Sequence, residues 1–255
     1  MKKIFALVDM NNCYVSCERI FNPHLENKPV IVLSNNDGCA VARSNEVKAL
    51  GIPMAAPAFL FKDIIKKHNI QMLSFNYNLY GEMSSRVISI YRDLCPRVEV
   101  YSIDEAFLDL SLLPHHELIP FSQELIKTVK QWTGIPISVG IGPSKTLAKV
   151  ANAIAKKEKK GGFALLDPEH ITHVLSQLAL DDIWGISRGW RDQLLKAGIR
   201  TPLEFRDYNA EDLKKMFNVV VARMALELRG ISCFDLEEDP QPKKVSVPRD
   251  LLEGM

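Results

Sequence analysis

Acidic residues stand where two apolar runs end, and that restricts the fold more than any other feature of the chain. Asp9 closes the run 4–8, and Asp104 and Glu105 follow the run 98–103. A carboxylate at the end of a buried strand costs several kcal/mol to desolvate unless water, a cation or a donor meets it. If the two runs are neighbouring strands of one sheet, the three carboxylates converge. They then form a set of hard oxygen ligands that suits Mg2+ and leaves positions open for water and phosphate, which is the chemistry of phosphoryl transfer. Taken singly, the same residues fit a plainer reading. Asp9 caps a helix starting near Asn11, and Asp104 and Glu105 occupy a solvated hairpin turn before a strand at 106–110.

With 255 residues the chain is long enough for a sizeable core and more than one domain, and its net charge of +1 carries no global signature of a nucleic-acid binder. Any such function needs a local patch. The dense basic run is Lys145, Lys149, Lys156, Lys157, Lys159 and Lys160, which reads either as that patch or as a solvated helix face. The five cysteines form an odd set without a C-x-x-C pair, which argues against a disulfide framework and a zinc site. Only five apolar residues follow the Met-Lys-Lys start before Asp9, too few for a signal peptide, and no run approaches a membrane span. A cytoplasmic protein with no membrane partner is expected.

Along the chain, strands at 30–33 and 39–42 flank a turn at 34–38 whose Asp-Gly pair suits positive φ. Helices are expected at 46–51 with a glycine stop, at 58–68, and at 79–94, where the apolar spacing ends before Pro96. Strands at 98–103 and 106–110 precede a helix through Leu125, Ile126 and Val129, then a strand at 135–141. A helix at 144–157 carries Leu147, Val150, Ala151 and Ile154 on one face and lysines elsewhere, and a short strand follows at 163–166. The order predicts an α+β sheet covered by helices on one face, with the segment between the first strand and Leu79 inserted as a small unit of its own. From Pro168 the pattern is all helical. Within it, the turn Gly185-Ile186-Ser187 before a helix from Arg188 fits either a phosphate-holding hairpin or an ordinary αα-hairpin. Gly142-Pro143-Ser144-Lys145-Thr146 lacks the glycine before the lysine that a P-loop requires, so Gly140 and Gly142 are expected to turn the backbone from strand into helix. His115 and His116 read as surface loop, and the three tryptophans as core anchors.

Several strings together resemble the Y-family of translesion DNA polymerases, most closely its UmuC branch. They are Ala6-Leu7-Val8-Asp9-Met10-Asn11 with Tyr14 and Cys17-Glu18, and Val32-Leu33-Ser34-Asn35-Asn36-Asp37-Gly38-Cys39. Tyr101-Ser102-Ile103-Asp104-Glu105-Ala106-Phe107, Ser138-Val139-Gly140-Ile141-Gly142 and Lys145-Thr146-Leu147-Ala148-Lys149 complete the set. The resemblance implies a ferredoxin-like palm (1–12 and 79–167), an inserted small fingers domain (13–78), and a helical thumb with a helix-hairpin-helix (168–236), followed by a linker (237–255). It implies that Asp9, Asp104 and Glu105, with the carbonyl of Met10, hold two Mg2+ ions. Lys48 and Lys156 match triphosphate-binding positions, Asn45 stands where many relatives have tyrosine, and Tyr14 matches the gate that excludes a 2′-hydroxyl. Cys13 departs from the usual Phe. Lys145, Lys149 and the turn Gly185-Ile186-Ser187 match DNA-contacting positions, with Ser187 replacing a second glycine.

The implied activity is error-prone, template-directed addition of dNTPs opposite damaged bases in the SOS response. The implied partners are primed template DNA, dNTPs, UmuD-like accessory subunits and a sliding clamp. Family members continue into a further DNA-gripping domain, whereas this sequence ends after the linker-like tail 240–244, so weakened activity is expected. Two rivals stay open at this level: a non-catalytic DNA-binding or regulatory fragment, and another two-metal phosphoryl-transfer enzyme.

Overall fold

The computed structural model describes residues 2–35 and 38–237. The Asn36-Asp37 pair of the expected turn and the tail 240–244 lie outside the described residues. The first strand, β1 (Phe5–Met10), is buried along its whole length and leads through Asn12, at positive φ, into α1 (Cys13–Phe21). A second sheet follows, built from β2 (Val30–Leu33), β3 (Ala40–Arg43) and, after α2 (Asn45–Ala49) and α3 (Lys62–Lys67), β4 (Gln71–Ser74). The chain then returns through α4 (Tyr77–Leu94), β5 (Val98–Val100), β6 (Glu105–Asp109), α5 (Leu118–Thr133), β7 (Ile137–Gly142), α6 (Lys145–Glu158) and β8 (Gly162–Ala164). Five α-helices follow among the described residues: α7 (Pro168–Leu175), α8 (Arg188–Lys196), α9 (Pro202–Asp207), α10 (Ala210–Met216) and α11 (Val219–Leu228).

The main sheet runs β5-β6-β1-β7-β8, with β1 antiparallel to both β6 and β7. Its first four strands with α4 and α5 make the split βαβ arrangement of ferredoxin-like folds. Alternation along β1 explains the layering. Ala6, Val8 and Met10 point into the core formed with α1, α4 and α5, whereas Phe5 and Leu7 share the other face with Phe107 and Ala148. The expected single helical layer is therefore incomplete: α4 and α5 cover one face, and α6 lies on the opposite one. The expected strand at 98–103 ends at Val100, because residues 101–104 form the hairpin turn into β6. The helix expected at 58–68 opens as a 3-10 turn, Ala58–Phe61, before α3.

The inserted segment has a small core of its own around Ile31, Ala40, Val47, Ile52 and Ile70. On its other face, Val30, Val32 and Ala42 pack into the main core beside α1. The α7–α11 bundle packs on the side of α6 that carries Leu147, Val150 and Ala151. Buried Glu227 locks this junction by accepting hydrogen bonds from the N–H groups of Thr146 in the first turn of α6 and of Cys233 and Phe234 beyond α11. A carboxylate at a helix N-terminus also meets the positive end of the helix dipole.

Gly140 and Gly142 do not turn the chain. Both lie within β7, where α6 presses on the strand so closely that a Cβ on Gly140 would stand 2.0 Å from the Asn152 nitrogen and 2.4 Å from the Ala148 carbonyl oxygen. Those are backbone atoms, so only a shift of the helix relieves the clash. Gly140→Ala is expected to destabilise the fold by about 3 kcal/mol or more. Urea unfolding reads this directly, and a loss below about 1 kcal/mol would mean that α6 is free to lift.

Candidate active site

Strand pairing brings the two acidic strand ends together. Asp9 faces Glu105 across the antiparallel β1–β6 ladder, and the Met10 N–H donates to the Asp104 carbonyl at 2.9 Å. Ser102 shapes the hairpin: its Oγ donates to Asp104 Oδ1 at 2.6 Å and accepts from the Glu105 N–H at 3.0 Å. The two sequence readings of Asp104 and Glu105 thus describe one object, a hairpin turn that presents carboxylates. Asp9 does not cap α1, where Asn12 takes the N-cap position.

Each carboxylate is engaged. Lys156 Nζ lies 2.6 Å from Asp9 Oδ2, and Lys149 Nζ lies 2.9 and 3.0 Å from the two Glu105 oxygens. Among the described residues, no three His, Cys, Asp or Glu side chains stand close enough to hold a metal ion. The expected convergence is therefore electrostatic rather than a closed cage. Burial raises the Asp9 pKa from 3.8 to about 6 against the opposing pull of Lys156, and the charges of Asp104 and Glu105 push it further up. A buried carboxylate that one ammonium does not fully compensate, beside two more acidic oxygen donors, fits a divalent cation.

The cleft above these residues has a volume of about 250 Å³ and is walled by Asp9, Asp104, Tyr14, Arg43, Lys48 and Lys156, among others. A neighbouring hollow of about 410 Å³ shares Asn12, Lys48 and Lys156 with it and adds Asn45 and Ser138. Asn12 organises this polar end: its Oδ1 accepts from Lys48 Nζ at 2.6 Å and its Nδ2 donates to Asn45 Oδ1 at 3.0 Å. Burial, with Arg43 and Lys156 nearby, lowers the Lys48 pKa. Sequence reasoning passed over Asn12, Ser102 and Arg43. The signal for Asn12 was an Asn at a strand-to-helix junction, where positive φ favours that residue.

Tyr14 stands on the other wall. Its ring stacks on Tyr80 at 4.4 Å and meets Phe75 edge-on at 5.2 Å, and fully buried Tyr80 is fixed by donating to Glu18 Oε1 at 2.7 Å. Burial raises the Tyr14 pKa, so its hydroxyl stays protonated. The Cys13 thiol beside it is pushed up by its hydrogen bond with Cys17 and by burial, and is un-ionised.

Two expected DNA-contacting lysines are placed otherwise. Lys145 is buried, bonded to Glu99 Oε2 at 2.5 Å and to the Asp235 carbonyl at 2.7 Å. Lys149 is committed to Glu105. Lys145, Lys149, Asn152 and Lys156 recur at helical spacing, and this stripe faces the sheet. In the turn before α8, Gly185 has φ +90° and packs against Met224, Ile186 is buried, and Ser187 caps α8 by accepting from the Trp190 N–H. Trp132 is 65% exposed and anchors no core.

This architecture is that of the Y-family DNA polymerases. A Y-family DNA polymerase chimera of Dbh and Dpo4 matches with a TM-score of 0.80 at 24% identity, covering 92% of this chain and 70% of that one. An insertion ternary complex of Dbh DNA polymerase matches at 0.76 and 25%, covering 89% and 67%. The chain belongs to the impB/mucB/samB family, whose model matches residues 8–153. Protein ImpB of Salmonella typhimurium is 43% identical over 94% of this chain and 58% of its own length. Protein UmuC of the same species is 41% identical over 92% and 57%. DNA polymerase IV of Saccharolobus solfataricus is 28% identical over 88% and 64%. The chain thus spans just under three-fifths of the length of ImpB and UmuC. No helix among the described residues is long and apolar enough to cross a membrane.

The raised Asp9 pKa has a consequence for stability. The folded state binds a proton more tightly than the unfolded chain, so between about pH 4 and pH 6 stability falls as pH rises. At neutral pH the ionised form carries a penalty of about 2–3 kcal/mol at most. In chelator, Asp9→Asn is expected to be more stable than the parent at pH 7 by up to about 2 kcal/mol, with the difference shrinking towards pH 4. Thermal unfolding across pH measures it, and a variant less stable than the parent at pH 7 contradicts the assignment.

Proposed function

We propose that the chain is the core of an error-prone translesion DNA polymerase, adding dNTPs to a primer opposite damaged template bases in the SOS response. The observation that carries this reading is the cleft in which Asp9 and Asp104 face Lys48, Lys156 and Tyr14. In this reading the main sheet with α4, α5 and α6 is the palm (1–12 and 79–167), residues 13–78 are the fingers, and residues 168–236 are the thumb. Asp9, Asp104, Glu105 and the Met10 carbonyl would hold divalent metal, as two Mg2+ ions. Metal held by these residues would supply Lewis-acid chemistry, favouring ionisation of a primer 3′-hydroxyl and offsetting charge at a phosphoryl group.

The side chains do the rest. Lys48 and Lys156 supply compact positive charge to a triphosphate in the polar hollow, and Asn12 holds Lys48 towards it. For Lys156 to do so, its bond to Asp9 must loosen when other cations arrive. Tyr14, pinned between Tyr80 and Phe75, cannot swing away and so excludes a 2′-hydroxyl by clash. Backbone N–H groups at the start of α8 would hold a DNA phosphate beyond Ser187. UmuD-like subunits and a sliding clamp belong to this reading as partners.

A primed template, four dNTPs and Mg2+ provide the direct test, with a ladder of extended primers as the expected result. A chain that binds primed DNA but extends nothing would point to a non-catalytic role. Asp104→Ala is expected to lower extension by about a hundredfold or more while costing about 1 kcal/mol of stability through its lost bond to Ser102. Near-parental extension by that variant removes Asp104 from the chemistry. Tyr14→Ala is expected to raise the ratio of rNTP to dNTP incorporation by about tenfold, read on single-nucleotide addition. An unchanged ratio transfers the gating role to another residue.

A further inference from the structure

Lys149 is held on three sides. Its ammonium bonds both oxygens of Glu105 and lies 4.6 Å from the centre of the Tyr101 ring and 5.1 Å from that of Trp184. The two rings meet edge-on at 5.5 Å and 85°, joined by a hydrogen bond from Trp184 Nε1 to the Tyr101 hydroxyl at 3.2 Å. Tyr101 lies in the hairpin that carries Glu105, and Trp184 directly precedes Gly185 in the turn before α8. Phe107 and Phe234 pack on Trp184 in turn, at 6.0 and 6.3 Å. A lysine is a point charge on a flexible stem and fixes no partner's orientation by itself. The two rings, set at right angles to each other, form an aromatic corner that confines the ammonium opposite Glu105, and a confined ammonium confines the carboxylate bonded to it.

We propose that Lys149 is a positioning residue for Glu105, clamped by the Tyr101–Trp184 pair, so that the turn before α8 sets the orientation of a carboxylate in the active site. The kinetic part rests on the polymerase reading, while the ion pair itself is testable without it. Lys149 does two separable things. Its charge offsets one of three clustered carboxylates, and its fixed position aims Glu105. Loss of the charge favours a divalent cation, and loss of the aim slows the reaction. A lysine that served only to hold the fold together would lower cation affinity, rate and melting temperature together.

The test uses Mn2+ as the probe, with bound ion counted by electron paramagnetic resonance in the absence of nucleotide, beside primer extension at saturating metal and thermal melting. Lys149→Met is expected to bind Mn2+ about threefold or more tighter and to extend primers about tenfold more slowly, with little change in melting. Lys149→Arg keeps the charge, and its Mn2+ affinity is expected to stay within about twofold of the parent. Trp184→Leu is expected to leave Mn2+ affinity within about twofold but slow extension about fivefold, and to add nothing in the Lys149→Met background. Weaker or unchanged Mn2+ binding by Lys149→Met overturns the proposal, as does extension by that variant within about twofold of the parent. Losses that multiply in the double variant overturn the clamp. If the parent extends no primer, the polymerase reading falls, and the Mn2+ affinity of Lys149→Met alone decides the ion pair.

Discussion

The close approach of α6 to the main sheet is the contact on which the rest of the molecule depends. Gly140 and Gly142 remove the side chains that would hold the helix off β7, and Asn152 Nδ2 ties it down by donating to the backbone carbonyls of Leu7 and Ser138 at 3.2 and 2.8 Å. One stripe of α6 then faces the sheet while the opposite face, with Leu147, Val150 and Ala151, forms the floor of the α7–α11 bundle. Lys145 meets Glu99 on β5, Lys149 meets Glu105 on β6, and Lys156 meets Asp9 on β1. A single helix thereby distributes positive charge to three strands and joins the sheet to the bundle.

These three ion pairs differ with depth. Lys145–Glu99 is almost fully buried and receives further hydrogen bonds from the Glu237 N–H and to the Asp235 carbonyl, so each charge is satisfied and the pair holds the segment after α11 against the sheet. Lys156–Asp9 opens onto the cleft, with the lysine side chain 40% exposed and free to exchange partners. The gradient runs from a pair closed off by burial to one open to the cleft along the same helix. Asp9 carries the strain of this arrangement, since burial raises its pKa more than Lys156 lowers it. Sites that must receive charge are commonly left electrostatically incomplete in the resting fold.

The acidic residues were legible because strand ends and buried charge are both visible in a sequence. Asp9 interrupts an apolar run, and Ser102-Ile103-Asp104-Glu105 has the composition of a turn. The lysines were not, because periodicity groups residues on a face without saying what that face meets, and a stripe of lysines ordinarily meets water. Lys145 is the extreme case, a cation whose partner Glu99 lies 46 residues away. Gly140 and Gly142 read as a turn since glycine signals conformational freedom and close approach with the same letter. The strand β4 escaped notice because Gln71-Met72-Leu73-Ser74 is short and exposes Met72, so no apolar run announces it. Trp184 carries no spacing signal at all. Its role arises only when the turn before α8 comes to rest beside Tyr101.

The stripe on α6 also limits how this chain can change over generations. Each residue inserted or deleted in a helix rotates everything beyond it by about 100°. A single such event between Lys145 and Lys149 would part Lys145 from the other two lysines and break the junction with the sheet. One between Lys149 and Lys156 would swing Lys156 away from Asp9 while turning Asn152 or its neighbours off the sheet. Substitution within this helix can proceed one side chain at a time, but its length between residues 145 and 156 is fixed to the residue.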